Sequence, residues 1–310
     1  MKRFVKAILK TLGLLLLINV VLDFVFTQSL NKSRCNLYNE WNHIIHDTIE
    51  SDLVIIGSSR AWAQYDPRII DSILLVNSYN LGINGGSVNR QFVKYKTYSH
   101  YQKKKPFFII VNFDYWSDWE VIRFQREQYF PYLVNPFMRS LIIEQEPFNI
   151  MERYIPMYRY YSQGIVKLLQ ESREIEKTYK GYNAHDLKWN GEEFAKVESI
   201  IFKPNKQLVD QFDCFLSDLR KDRTKVILVS SPIYSGVTKK TKNLSAFYDF
   251  RNYFSEKYDM PTLDYISDPI CDDTTCFYNA THLNKKGAEL FTKKLCHDLD
   301  SLGLIINNKE

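Results

Sequence analysis

From Phe4 to Thr27 the chain is mostly Leu, Ile, Val and Phe, and between Thr11 and Thr27 only Gly13, Asn19 and Asp23 break the run. A bilayer core about 30 Å thick takes about 20 helical residues, so this stretch is long enough to span and is withdrawn from any water-soluble core. Lys2, Arg3, Lys6 and Lys10 sit at its start. Cations on that side stay in the cytoplasm, which places the rest of the chain outside, periplasmic and anchored to the inner or cytoplasmic membrane by one pass. A cleaved signal peptide is the alternative, but Val25-Phe26-Thr27 is a poor substitute for a small-x-small cleavage site. Asn19 and Asp23, four apart, share a helix face that packs on another membrane helix or, the better fit, brings Asp23 near the outer interface.

The anchor also accounts for the charge. The formal net charge is +5, and most of the excess lies in the first thirty residues, leaving a nearly neutral body. Nucleic-acid binding needs a basic stripe on a folded domain, and none is evident. The six histidines and five cysteines are scattered without a paired zinc spacing, so no metal or other cofactor is expected. Export permits a disulfide between Cys271 and Cys276, with two reduced thiols as the alternative.

After a polar stalk over residues 28–50, short apolar runs recur at Asp52 to Gly57, Val76 to Leu81, Phe107 to Val111, Lys225 to Ser230 and Pro261 to Ile266. Helical patterns lie between or after them at Asp66 to Leu75, Val88 to Lys103, Gln207 to Arg220 and Lys285 to Leu302. This alternation predicts one doubly wound α/β domain over 51–310 on about five parallel strands, with its site at their carboxyl ends. About a hundred residues separate the third and fourth strands, too many for a crossover, so residues 119–200 form a helical insertion. Its aromatics, among them Trp119, Phe124, Tyr129, Phe130, Tyr132, Phe148, Tyr154, Tyr160 and Tyr161, form its own core or, as a second reading, a glycan-binding lid.

Three segments carry chemistry. The first strand ends in Gly57-Ser58-Ser59-Arg60, presenting a hydroxyl where backbone N–H groups at a helix start stabilise an oxyanion. The second runs into Asn80-Leu81-Gly82-Ile83-Asn84-Gly85-Gly86, whose glycines permit close backbone approach. Near the end stands Asn279-Ala280-Thr281-His282-Leu283-Asn284, and a serine nucleophile needs a base such as His282. Ser59 Oγ should then lie within about 3.5 Å of a His282 ring nitrogen. Arg60 reads as half of an ion pair on the helix surface; His43, His46, His185 and His297 receive no role.

Together these segments resemble the SGNH hydrolase superfamily, which includes the GDSL-type esterases, over roughly residues 51 to 302. The resemblance implies a flavodoxin-like three-layer α/β/α fold, Ser59 as nucleophile, His282 as base and Gly85 as a backbone oxyanion donor. Two positions depart from the family. Asn279 stands where the acid three residues before the histidine is expected; it holds the imidazole by a hydrogen bond, or Asp268, Asp272 or Asp273 replaces it. At the third strand's end Asp114 falls near the family's oxyanion asparagine, with Asn112 two residues earlier on the same face. Anchored members with a Gly-Ser-Ser first block are similar to proteins of envelope polysaccharide O-acylation. The implied activity is a serine esterase or O-acyltransferase on acyl esters of envelope glycans, acetyl foremost. The alternative is a catalytically silent scaffold that binds a glycan or partners a membrane acyltransferase.

Overall fold

The computed structural model describes residues 1–310 apart from 36, 47, 115–125, 147, 163–164, 166–177, 222–223 and 306–310. Trp119 and Phe124 of the expected insertion lie outside the described residues. In chain order the elements used below are α1 (Lys2–Leu30), α2 (Asn39–Ile45), β1 (Leu53–Ile56), α3 (Ser59–Gln64), α4 (Pro67–Leu74), β2 (Ser78–Asn80), α5 (Val88–Tyr101), β3 (Phe108–Asn112), α6 (Pro136–Gln145), α7 (Ile150–Tyr154), α8 (Tyr158–Ser162), α9 (Lys206–Lys221), β4 (Lys225–Ser230), α10 (Leu244–Tyr258), β5 (Thr262–Asp264), β6 (Phe277–Asn279), β7 (His282–Leu283) and α11 (Lys285–Ser301). They fall into two compact units, Met1–His46 with Gln125–Lys177 and Asp47–Phe124 with Thr178–Glu310.

The second unit is an α/β unit on a parallel sheet ordered β2-β1-β3-β4-β5. That is the flavodoxin-like order, in which β1 and β3 flank the switch point where sites form. Its central strands β1, β3 and β4 are covered on both faces, which is why they are apolar at successive positions rather than at alternate ones. Leu53, Ile55, Phe108, Ile110, Ile227 and Val229 point to one side and pack with Phe291, Leu295 and Leu299 of α11. Truncating a leucine buried this way to alanine costs about 2–5 kcal/mol. On the other side Tyr95 of α5 meets Phe215 of α9 at 5.4 Å, and Phe212 meets Phe254 of α10 at 5.0 Å. The crossover from β4 to β5 thus carries a fifteen-residue helix, α10, that the sequence reading did not identify.

Local chemistry sets the helix starts. Asp66 caps α4 by accepting from Arg68 N, with Pro67 at the first helical position, and Asn284 caps α11 by accepting from Gly287 N. Gly287 is obligatory: a Cβ there would lie 2.1 Å from the Cys276 carbonyl oxygen. The tight fit holds α11 against the β6–β7 hairpin, in which Asn279 faces His282.

The first unit gathers the N-terminal residues and a later segment. Its 29-residue α1 is the one helix among the described residues long and apolar enough to cross a membrane. Residues 28–46, read as a stalk, group with 125–177, whereas 178–200, read as the end of the insertion, group with the sheet. Tyr129, Phe130, Tyr132, Phe148 and Tyr160 are buried, and Trp41 of α2 meets Tyr129 edge-on at 5.4 Å. The C-terminal turns of α1 are tied in by Asp23, which pairs with Arg159 at 2.9 Å and accepts from Met157 N at 2.7 Å. Thr27 and Tyr160 share a 2.8 Å hydrogen bond.

Candidate active site

All the residues singled out for chemistry lie in the sheet-bearing unit. β1 stops at Ile56 and the chain turns through Gly57 into α3. A Cβ on Gly57 would come within 2.7 Å of Ala61 Cβ and 2.8 Å of Asn112 Cβ, and one on Gly82 within 2.3 Å of Trp62 N. These glycines let α3 sit directly against β3 and the β2 loop. Asn80, fully buried, fixes the same helix from its other end: its Nδ2 donates to the Ala61 and Tyr65 carbonyls and its Oδ1 accepts from Gly82 N.

Ser58 is the helix cap, its Oγ accepting from Arg60 N, so the next residue, Ser59, opens α3 with its hydroxyl available. Ser59 Oγ lies 2.7 Å from His282 Nε2, within the reach expected from the sequence. On the far side of the ring, His282 Nδ1 lies 2.9 Å from Asn279 Oδ1. The backbone N–H groups of Thr281 and His282 also donate to that atom, at 3.0 and 2.9 Å. Only an oxygen accepts such donors, so the amide is oriented by its own turn. An acceptor facing Nδ1 selects the Nδ1–H tautomer and leaves the Nε2 lone pair toward the serine.

Burial, the Arg60 charge and His185 together push the His282 pKa down from 6.5 to about 3. Protonation is therefore disfavoured in the native state. Below pH 6.5 the unfolded chain takes up a proton that the native chain refuses, so this group's stability contribution is lost as pH falls from 6.5 toward about 3. The slope approaches about 1.4 kcal/mol per pH unit. Urea midpoints measured between pH 7 and pH 4 are expected to fall less steeply in His282→Gln than in the parent chain.

Arg60 is not the surface residue expected from its place after the serine. It is 3% exposed, because α3 turns it inward beneath the strand ends. Its Nη1 pairs with Asp114 at 2.7 Å and its Nη2 donates to the carbonyls of Ser231 and Pro232 at 2.5 and 3.0 Å. Asp114 also accepts from the Ser58 hydroxyl and, at 2.7 Å, from Asn112 Nδ2. Tyr65 donates to Asn112 Oδ1 at 2.6 Å, and burial pushes its phenol well above the usual range, keeping it a donor. Asn112 and Asp114, the two expected contributors to oxyanion binding at the β3 end, are thus engaged in a buried network beneath the serine. Gly85 lies in the turn between β2 and α5 with φ of 63°, a left-handed conformation that favours glycine.

The carboxylates that were candidates to replace the missing acid are engaged elsewhere. Asp268 pairs with Lys294, Asp272 accepts from Ser235 and Lys239, and Asp273 from Thr275, Cys276 and Lys286. Asn279 alone of these faces His282. Of the two readings for Cys271 and Cys276, a disulfide or two reduced thiols, both cysteines are free thiols here. Cys271 Sγ donates to the Tyr265 carbonyl and Cys276 Sγ to Asp273, so the two sulfurs serve different acceptors.

Three aromatic residues without a role in the sequence reading line the site. Tyr278 stacks on the His282 ring at 5.2 Å and 23°, His185 lies 4.5 Å from Tyr278, and Trp62 lies 5.4 Å from His185. His185 is placed by its backbone carbonyl, which accepts from Lys285 N, while neighbouring Asn183 N donates to the Trp62 carbonyl. Tyr278 stands four residues before the histidine, a proximity visible in the sequence; His185, ninety-seven residues away, gives no such signal.

No family model matches the chain, and no curated protein matches it. Among solved structures it is similar to a lipase/acylhydrolase from Enterococcus faecalis, at 12% identity and TM-score 0.41, over 81% of this chain and 95% of that one. It is similar to the acetyl xylan esterase AlAXEase at 9% and 0.41, over 81% and 98%. It is also similar to a GDSL-like lipase from Bacteroides thetaiotaomicron at 8% and 0.38, over 85% and 99%.

Proposed function

We propose that the protein is a membrane-anchored serine esterase or O-acyltransferase of the SGNH type acting on acylated envelope glycans. The observation that carries this reading is the chain of contacts from Ser59 Oγ to His282 Nε2 and from His282 Nδ1 to Asn279 Oδ1, at 2.7 and 2.9 Å. His282, held neutral, takes the Ser59 proton as Oγ attacks the ester carbonyl, then returns it to the departing alkoxide. Water or a sugar hydroxyl accepts the acyl group in the second half-reaction. The backbone N–H groups of Ser59 and Gly85 hold the oxyanion. The row Trp62, His185 and Tyr278 offers flat apolar faces that suit a sugar ring beside the ester. Four cations at the start of α1 support an orientation with the remainder of the chain outside the cytoplasm.

A fluorophosphonate probe on the full chain tests the reading. Covalent labelling of the parent and none of Ser59→Ala is expected; a folded parent that takes no label overturns the enzyme and leaves the scaffold. The acid limb of kcat/KM, which requires neutral His282, is expected well below pH 6.5, toward about 3. A limb at ordinary histidine values contradicts the assignment of the base. Asn279→Asp puts a carboxylate where several donors already converge. A charge-assisted hydrogen bond is roughly twice as strong as a neutral one, which predicts a gain of about tenfold in kcat and an acid limb moved upward.

A further inference from the structure

We infer that α7 and the start of α8 form a second membrane contact, an apolar surface that rests in the outer leaflet of the bilayer crossed by α1; the inference rests on the anchor reading above. Helix α7 is turned the wrong way for water. Ile150, Met151, Tyr154 and Ile155 repeat at one-turn spacing, which places them on one face. They are 71, 47, 63 and 46% exposed. The carboxylate between them, Glu152, is buried and pairs with Arg126 at 3.0 Å while closing a capping box with Asn149. Tyr161 on α8 adds another exposed ring. A soluble unit seldom exposes five large apolar side chains within twelve residues while burying a charge behind them. The sheet-bearing unit, by contrast, exposes its large apolar side chains singly along the chain.

The occupant follows from what α8 is fastened to. Arg159 pairs with Asp23 of α1, Met157 N donates to the same carboxylate, and Phe26 meets Tyr160 edge-on at 4.7 Å. About 20 helical residues cross a core of about 30 Å. Counted back from Asp23, about 17 to 20 residues reach between Ala7 and Phe4, next to Arg3 and Lys6, with Lys10 one turn further in and its ammonium snorkelling to the inner interface. Asp23 therefore lies at the outer boundary of the span, and α8 is pinned there with α7 three residues before it. A helix at that height with Ile, Met and Tyr outward matches an interfacial helix, whose apolar face sinks about 5–10 Å among headgroups and upper acyl chains. Tyrosine is a residue of that zone. Arg139, 5.5 Å over the Tyr154 ring, supplies a cation for lipid phosphate.

The test uses the full chain in phosphatidylethanolamine and phosphatidylglycerol vesicles containing a phospholipid with a diazirine on its acyl chain near the glycerol. After irradiation, peptide mass spectrometry is expected to find lipid adducts on 150–161 as well as on α1. The double variant Ile150→Asp, Tyr154→Asp, whose changes are at exposed positions, is expected to lose the first and keep the second. Adducts on α1 alone overturn the inference and leave the anchor intact. Adducts on neither overturn both. Cross-linking of 150–161 to a second copy or to another protein in native membranes, in place of lipid, also overturns it.

Discussion

Ser59→Ala is expected to lower ester turnover by about 10^4 to 10^6-fold, measured with p-nitrophenyl acetate and confirmed by loss of the acyl-enzyme burst. The upper figure is the scale seen when the nucleophile or base of a complete Ser-His-Asp site is removed. The lower end applies because an amide at position 279 holds the imidazole by geometry and adds no charge to stabilise imidazolium, so the parent starts from less. Because Ser59 Oγ and His282 Nε2 are 2.7 Å apart and, on the proposed mechanism, act as one unit, His282→Ala should cost about as much, and the double variant little more. Retention of the parent rate in Ser59→Ala would place the chemistry on another group. Labelling without turnover would instead locate the deficit in deacylation.

Arg60→Met is expected to destabilise the fold by about 3–5 kcal/mol, because it removes the guanidinium paired with the buried Asp114 carboxylate. Asp114 is fully buried, and Ser58 and Asn112, neutral donors, also hydrogen-bond to it. Adding Asp114→Asn removes the other half of the ion pair and keeps an acceptor for both donors. The double variant should therefore recover much of the loss, with a coupling of about 0.5–3 kcal/mol in urea denaturation. The Arg60 charge also lowers the His282 pKa. Wherever the Arg60→Met protein remains folded, the acid limb of its activity should move to higher pH. A purely structural residue would change stability and leave that limb in place. Additive single and double variants would show that the pair is not coupled.

The centre of the sheet was readable from sequence because β1, β3 and β4 are apolar runs, and burial on both faces leaves little alternation to blur them. Helix α10 was not, since the positions it buries are Phe247, Arg251 and Phe254, and an arginine among them interrupts the apolar stripe. The β6–β7 hairpin has strands of three and two residues, too short for any period. At the site, the chain order of Ser59 and His282 was informative, and the turn Asn279 to His282 carried its own spacing. The partnership of Arg60 with Asp114 spans 54 residues and depends on α3 turning inward under the strand ends, which no local pattern encodes. For the same reason His185 looked incidental: its place beside Tyr278 comes from a segment laid across the unit and held by backbone hydrogen bonds.

The pairing of Asp23 with Arg159 sets a schedule as well as a contact. The partners are 136 residues apart, and ribosomes add about 5–20 residues per second, so the carboxylate waits on the order of ten seconds for its guanidinium. On the anchor reading proposed above, α1 during that interval carries an acid close to the lipid before its arginine partner is made, a costly placement. A newborn chain is thus most exposed to mispartnering before residue 159 emerges, and whatever escorts it through that window needs a basic or hydrogen-bonding group near one point on the helix.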